Sequence, residues 1–251
     1  MALNSKEAKA MVDACREAGV ALGLGSARSR FHPNVELAKK YISEGKLGKI
    51  YYVRFTRFRR RGRPGIDMMK GSKWFLDSRI AGGGALIDIG CYDIDVLLYL
   101  LGSPQPLSVS AVTFRGLEPT PKLDTPFDVE EHSTAFARFS SGLTATFETA
   151  WASNTESREE VMILGSKGGL RLEPFTYYTE DNGELVSIGF DLYLKRIREM
   201  DLLIKDFMDA CIQGRKPKSP GEDGLKVMQL IDMAYLSAKV GREVSLEEVI
   251  K

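Results

Sequence analysis

The sequence has few of the residues on which several classes of protein depend. Among its 251 residues there are three cysteines, widely spaced, and two histidines, His32 and His132. This arrangement provides neither a disulfide framework nor a Cys/His zinc site. No apolar run approaches the ~20 residues that cross a bilayer, and the N-terminus has the charge and spacing of a helix rather than of a signal peptide. We therefore expect a cytoplasmic protein without a bound metal ion.

The sequence also lacks an excess of charge of either sign. Lys+Arg total 35 and Asp+Glu total 34, a net charge of +1. No overall field would then attract nucleic acid or an anionic membrane, and we expect neither as a partner. The one basic segment, Arg57–Arg63, contains a single aromatic residue. We interpret it as a solvated strand end in preference to a phosphate or nucleic-acid site.

Helical and strand-like patterns follow one another in blocks. Asn4 begins a capping box, Val20–Leu24 is a short apolar run typical of a buried strand, and Pro33 opens a second helix. The next predicted elements are a strand at 50–58, a glycine-rich loop and a helix from Ala85 to Leu101. After them come strands at about 106–114, 128–139, 143–151, 159–164 and 169–173, and helices at about 191–213 and 220–240.

These blocks predict an α+β fold. Short turns between successive strands favour antiparallel pairing. We expect a large, open, mainly antiparallel sheet with flanking helices on one face, preceded by a helix–strand–helix unit. Gly23 and Gly25 superficially suggest a dinucleotide loop, but the third glycine of that motif is missing and Pro33 soon follows. We interpret this segment as a strand end.

The segment from Gly82 to Asp95 carries the clearest chemical signal. Asp88 and Tyr92 are four residues apart and share a helix face, with Asp95 three residues further on. A phenol and carboxylates beside a glycine-rich turn could bind a hydroxylated substrate and move a proton. A free tyrosine has a pKa of about 10, so this work at neutral pH requires a nearby cation. The alternative is a helix capped by glycines, with Tyr92 half-buried and Asp88 solvated.

Eight segments, in this order along the chain, resemble the signatures of the Gfo/Idh/MocA oxidoreductases. They are Met1–Asn4, Arg30–Pro33, Gly45–Ile50, Lys73–Phe75 together with Gly82–Asp95, Trp151–Ser153, Gly165–Leu170, Tyr235–Ala238 and Gly241–Val244. The resemblance implies hydride transfer between NAD or NADP and a sugar, polyol or related alcohol. The roles that it implies are catalytic for Tyr92 and Asp88, substrate-binding for Lys73 and Asp95, and cofactor-binding for Trp74, Tyr235 and Arg30, with no metal.

The resemblance also implies a division of the chain. Residues 1–31 would be the remnant of a nucleotide-binding Rossmann domain. Residues 32–251 would form the family's C-terminal substrate and oligomerisation domain, with the last helix packing back toward the Rossmann side. The GxGxxG half and the lysine of the Glu-Lys-Pro motif would precede Met1. We therefore expect the chain alone to bind NAD(P) weakly and to be inactive.

Two further expectations concern partners. The open sheet of the family implies a homodimer or tetramer formed through that surface. The alternative function is a non-enzymatic module, derived from the same family, that dimerises or binds a sugar-like ligand.

Overall fold

The computed structural model describes residues 2–192 and 198–250. Its first helices begin where the sequence predicts: the Asn4 side chain caps α1 (Ser5–Glu17), and His32 caps α2 (Pro33–Ser43). The predicted strand at Val20–Leu24 does not form. Within the described residues a single bridge joins Gly23 to Pro220, which is too little pairing to make a strand.

In the described part of the chain, nine strands form one sheet. They are β1 (Ile50–Phe58), β2 (Pro106–Phe114), β3 (His132–Phe139), β4 (Thr144–Ala150), β5 (Arg158–Gly165), β6 (Gly169–Arg171), β7 (Thr176–Asp181), β8 (Glu184–Gly189) and β9 (Val244–Ser245). The order across the sheet is β8-β7-β6-β5-β1-β4-β3-β2-β9. Every neighbouring pair is antiparallel except β1 with β4, which is parallel. The predicted fold class, an open and mainly antiparallel sheet with helices, is confirmed.

The hairpin of β7 and β8 is absent from the sequence-based prediction. Its turn is Asn182-Gly183, and both residues have positive φ angles, 53° and 86°. Asn-Gly between alternating strands is the strongest local sign of a two-residue hairpin, so the signal was present in the sequence. The helix expected at about 191–213 is described from Glu199 to Gln213 (α5). Its predicted residues 193–197 lie outside the described part of the chain.

Helices cover one face of the sheet. The short α3 (Ser78–Ala81) precedes a π-helical turn at Leu86–Gly90, which continues into α4 (Cys91–Leu100). Helices α4 and α6 (Gly221–Val240) share the main apolar core with the inward side chains of the central strands. Across the parallel pair, Phe55 of β1 stacks on Phe147 of β4 with ring centroids 5.4 Å apart. On the opposite face, Val112 and Phe114 of β2 are exposed.

The N-terminal helix packs onto the same body. Helix α1 lies against α6, and the Ser5 backbone N–H donates a hydrogen bond to Asp232 at 2.7 Å. The apolar side chains of α1 are covered only in part, because Val12 is buried whereas Met11 is half exposed. The division of the chain at residue 31 stays a prediction.

Neither a membrane span nor a metal cluster is found in the part of the chain that the structure describes. None of its helices is both long and apolar enough to cross a bilayer. No three His, Cys, Asp or Glu side chains in residues 2–192 and 198–250 are grouped as metal ligands would be.

Candidate functional site

The glycine-rich segment that leads to Asp88 and Tyr92 lies in close contact with two other parts of the chain. A Cβ on Gly83 would lie 2.0 Å from the Tyr235 hydroxyl oxygen, and one on Gly84 would lie 1.9 Å from the Glu130 carbonyl oxygen. Any side chain at either position would therefore collide with its neighbour. The two glycines allow the start of the helical segment to sit directly against Glu130 and Tyr235.

Glu130 fixes the position of this segment. Its carboxylate accepts hydrogen bonds from the backbone N–H groups of Gly84 and Leu86, at 2.8 and 2.9 Å, and from the Tyr235 hydroxyl at 2.9 Å. Burial raises the pKa of Glu130, although these donors oppose the rise. The pKa of Tyr235 is also raised, by burial and by the charge of Glu130. The Tyr235 hydroxyl thus donates its hydrogen bond to Glu130 and not to solvent.

Asp88 lies in the π-helical turn, an irregularity that occurs often at functional sites. Its Oδ2 accepts a hydrogen bond from the Trp151 indole N–H at 2.8 Å, and the Trp151 side chain is fully buried. Burial raises the pKa of Asp88, whereas the Trp151 hydrogen bond and the charges of Arg59 and Arg28 act in the opposite direction. Asp88 is not the solvated side chain of the alternative interpretation, because a specific donor holds it in a partly buried site.

Tyr92 lies four residues further along the same helical segment and is half-buried. Its hydroxyl oxygen accepts a hydrogen bond from Arg28 Nη1 at 2.9 Å. The guanidinium carbon of Arg28 also lies 4.4 Å from the centroid of the Tyr92 ring, within the range of a cation–π contact. Arg28 comes from the 3₁₀ helix at Gly25–Phe31, in the segment that the sequence suggested was only a strand end. One arginine thus contacts Tyr92 and acts electrostatically on Asp88.

An aromatic series connects the surface to Asp88. Trp74 is half exposed and stacks on Phe75, with ring centroids 3.8 Å apart. Phe75 meets Trp151 edge to face, with centroids 6.4 Å apart, and Trp151 donates to Asp88. Lys73, next to Trp74, is exposed and forms an ion pair with Asp124 at 2.5 Å. Trp74 and Lys73 are therefore accessible to a ligand.

Arg30 and Asp95 are not accessible, contrary to the roles that we expected of them. Arg30 donates to both carboxylate oxygens of Asp95, at 2.9 and 2.5 Å, and forms a second ion pair with Asp223 at 2.9 Å. Both side chains of the Arg30–Asp95 pair are 1% exposed. The pair ties the 3₁₀ helix to α4 and α6 in the interior. This burial is the physical reason against cofactor binding by Arg30 and substrate binding by Asp95.

Two arginines of the basic segment Arg57–Arg63 are turned inward, so the interpretation of this segment as a solvated strand end is wrong at these two positions. Arg57 donates to both oxygens of the buried Asp93, at 3.3 and 2.8 Å. Arg63 is 2% exposed and forms ion pairs with Asp67 and Glu131, at 2.8 and 3.2 Å. Arg57 and Arg63 thus neutralise buried carboxylates and do not contribute to a free basic surface.

A cleft of about 260 Å³ opens beside Arg28. Its lining includes Arg57, Asp93 and Glu159, which form one ion-paired group on its floor, as well as Glu199. Arg28 belongs both to this cleft and to the contact with Tyr92. The cleft therefore shares Arg28 with the Asp88–Tyr92 segment, and its charged side chains can form hydrogen bonds with a ligand rich in hydroxyl groups.

The structure adds three residues that the sequence analysis did not place in the site: Arg28, Glu130 and Trp151. Trp151 stood in a segment noted only for its resemblance to a sheet motif, and Glu130 had no local signal at all. The structure brings Asp88, Tyr92 and Trp74 into one region through these partners. Tyr235 lies behind the glycine segment, and Arg30 and Asp95 lie in the interior.

A family model and several relatives match the sequence of this chain. The family described as GFO/IDH/MocA C-terminal domain matches residues 35–171. D-glucoside 3-dehydrogenase of Escherichia coli (strain K12) is 28% identical over 260 residues, which cover 98% of this chain and 70% of that protein. Levoglucosan dehydrogenase of Pseudarthrobacter phenanthrenivorans is 32% identical over 190 residues, 68% of this chain and 46% of that protein.

Solved structures agree with these matches. A levoglucosan dehydrogenase in complex with NADH superposes with a TM-score of 0.85 at 24% identity, over 98% of this chain and 71% of that chain. An aldose-aldose oxidoreductase from Caulobacter crescentus complexed with glycerol superposes with a TM-score of 0.78 at 27% identity, over 98% and 70% of the two chains. The fold and the family match together define an oxidoreductase. The chain belongs to the Gfo/Idh/MocA family of NAD(P)-dependent oxidoreductases.

Proposed function

We propose that the protein moves hydride between NAD or NADP and a CH–OH carbon of a sugar, polyol or related alcohol. The observation that carries this proposal is the placement of Asp88 and Tyr92 four residues apart, each with a dedicated donor, Trp151 and Arg28 respectively. The relatives support the substrate class, since their names include D-glucoside, D-xylose, D-apiose and levoglucosan dehydrogenases.

Tyr92 and Asp88 have different roles in the proposed reaction. When bound, the nicotinamide ring supplies the hydride acceptor or donor. Tyr92 takes the proton of the substrate hydroxyl during oxidation and returns it during reduction. Arg28 stabilises the negative charge on the phenolic oxygen after it has lost its own proton. Asp88, held through Oδ2, offers Oδ1 to a substrate hydroxyl and orients it.

The residues described here suit the nicotinamide end of the cofactor better than its pyrophosphate. The stacked and half-exposed Trp74 presents a flat apolar face of the kind that packs against a ring or a ribose. The sequence contains no strand–GxGxxG–helix unit to hold a pyrophosphate. In our proposal Trp74 contacts the cofactor, the exposed Lys73 contacts substrate or cofactor at the same edge, and these residues alone bind NAD(P) weakly.

The test is NAD(P)-linked turnover by the full-length gene product with a panel of aldoses, glycosides and polyols. We expect reduction of NAD or NADP with at least one of them, and a loss of about a hundredfold or more in Tyr92→Phe. Tyr99→Phe is the matched control, because Tyr99 lies two turns further along α4 and its hydroxyl bonds to Glu36 instead. Parental turnover in Tyr92→Phe, or no turnover with the whole panel, contradicts the proposal.

We also propose that a second copy of the chain covers the open face of the sheet. Ser110 and Val112 flank the buried Ala111 on β2, and Phe114 is the next residue on the same face, so these three side chains point away from the helices. Exposed apolar side chains in a row on a sheet are typical of an interface.

Light scattering of purified protein tests this association. We expect a dimer or tetramer, and a smaller mass for the double variant Val112→Lys, Phe114→Lys. Ile212→Lys, on α5, changes a side chain that is 82% exposed and is the control. If the double variant has the same mass as the parent, the open face of the sheet is not the surface through which the copies associate.

A further inference from the structure

We propose that Trp151 is a positioning residue for Asp88: its indole N–H holds the carboxylate as an oriented anion, with one oxygen fixed and the other left for a ligand. The inference rests on the proposed function, which gives Asp88 its role toward substrate. The observation is the hydrogen bond from Trp151 Nε1 to Asp88 Oδ2 at 2.8 Å, between a fully buried donor and a partly buried acceptor.

The donor is held rigidly. Trp151 follows the last residue of β4, and its backbone N–H bonds to the Glu131 carbonyl at 2.8 Å. Its ring packs in a small apolar cluster with Leu76, Ala85 and Ile89, separate from the main core. Because Ala85 and Ile89 flank Asp88 on the same helical segment, the cluster fixes the indole and the carboxylate relative to each other.

The chemistry of the indole explains why a tryptophan is suited to this position. Its N–H is a donor only, and it cannot accept a proton or a hydrogen bond. A hydrogen bond from it to a carboxylate is stronger than one to a protonated carboxyl group. Trp151 therefore stabilises the ionised form of Asp88 without competing for the proton that the reaction moves.

The surroundings make this stabilisation necessary. Burial raises the pKa of Asp88 and so opposes ionisation. The charged groups that act on it from neighbouring elements are Arg59, after β1, and Arg28, from the 3₁₀ helix, and neither donates a hydrogen bond to its carboxylate within the described residues. On its own segment, the Cys91 thiol bonds only to the Asp88 backbone carbonyl. Trp151 is thus the donor in direct contact with the carboxylate.

Tryptophan fluorescence gives a test that does not depend on turnover. The chain has two tryptophans, so Trp74→Phe leaves Trp151 as the only emitter. We expect its emission to change with pH in one transition whose midpoint is that of Asp88. Adding Asp88→Asn removes the titrating group but keeps an oxygen that accepts from the indole, so the transition should disappear. A transition that persists in the double variant overturns the proposal.

A second measurement, by NMR, separates positioning from packing. The carboxyl carbon resonance of Asp88 is assigned by its loss in Asp88→Asn. In Trp151→Phe this resonance should titrate at a higher pH than in the parent. If Trp151→Phe does not fold, the single-tryptophan titration alone decides the question. An Asp88 midpoint equal to that of the parent overturns the proposal.

Turnover of the full-length gene product then shows whether the positioning serves the reaction. We expect kcat of Trp151→Phe to fall about tenfold or more. The acid limb of its pH profile should also move to higher pH. A profile that is unmoved overturns the role in catalysis. If the parent has no dehydrogenase activity, it is the proposed function that fails, while the two titrations still decide whether Trp151 holds Asp88 as an anion.

Discussion

Arg28 and Tyr92 contact each other in two ways. The guanidinium donates a hydrogen bond to the phenolic oxygen at 2.9 Å, and its carbon lies 4.4 Å from the ring centroid. The two residues are 64 positions apart in the sequence, and a 3₁₀ helix brings them together. The cation that proton transfer by a tyrosine requires is therefore present within the described residues, and no local pattern in the sequence indicates it.

Removing the Arg28 charge should slow the reaction. In Arg28→Gln the phenolic oxygen loses its charged donor, and we expect kcat of the full-length gene product to fall about a hundredfold. Arg28→Lys keeps a positive charge and should retain part of the activity. Arg16→Gln is the control, because Arg16 pairs with Asp13 on the exposed side of α1. Steady-state kinetics with equal activities in Arg28→Gln and Arg16→Gln would exclude this role.

Breaking the buried pair of Arg30 and Asp95 should destabilise the fold. Asp95→Ala leaves Arg30 in the interior with Asp223 as its one remaining ion-pair partner among the described residues, and we expect a loss of about 3 kcal/mol in the free energy of unfolding. Urea denaturation measures it. Asp13→Ala, which breaks an exposed pair on α1, should leave the unfolding midpoint nearly unchanged. Equal midpoints in the two variants would mean that the buried pair adds nothing.

Ionisation of Asp88 should lower the free energy of unfolding as the pH rises. Burial raises its folded-state pKa above the ordinary value of 3.8. Its contribution to stability is therefore full below about pH 3.8 and is lost as the pH rises through the raised pKa. The side chain of Asp88→Asn does not ionise, so this variant does not lose stability in this way. Its amide oxygen can still accept the hydrogen bond from Trp151. We expect this variant to gain stability relative to the parent across that window, and to lose activity.

Denaturant titrations at several pH values check this prediction. Asp13→Asn provides a control of opposite sign, because Lys9 lowers the pKa of Asp13 and the native aspartate gains stability as the pH rises. If the difference in stability between Asp88→Asn and the parent does not change with pH, Asp88 does not have the raised pKa on which the argument depends.

A side chain at Gly84 should disturb the site. In Gly84→Ala the new Cβ would lie 1.9 Å from the Glu130 carbonyl oxygen, so the glycine segment must move. We expect a loss of about 2 to 3 kcal/mol in the free energy of unfolding, together with loss of activity. Gly71→Ala is the control, since a Cβ there has no neighbour within 4 Å. A calorimetric melting temperature equal to that of Gly71→Ala would contradict the close approach.

Much of the fold could be predicted from local pattern. Short-range rules account for the cap at Asn4, for Pro33 as the first residue of α2, for the strands β1 and β4, and for the helical segment of Asp88. The same rules failed at Val20–Leu24, because a strand requires a neighbour that the apolar run itself cannot supply. The Asn182-Gly183 turn also follows from these rules, although the sequence-based prediction did not include its hairpin.

The sequence by itself determined the fold class, the family and the shared helix face of Asp88 and Tyr92, because each of these depends on the order and spacing of residues along the chain. Only the tertiary structure decided which charged residues are available to a ligand. Arg30 and Asp95 resembled site residues but neutralise each other in the interior, whereas Arg28 and Trp151 became partners of the two candidate catalytic side chains. The physical reason is that burial and charge pairing depend on residues far apart in the sequence, and no local pattern records which of them meet.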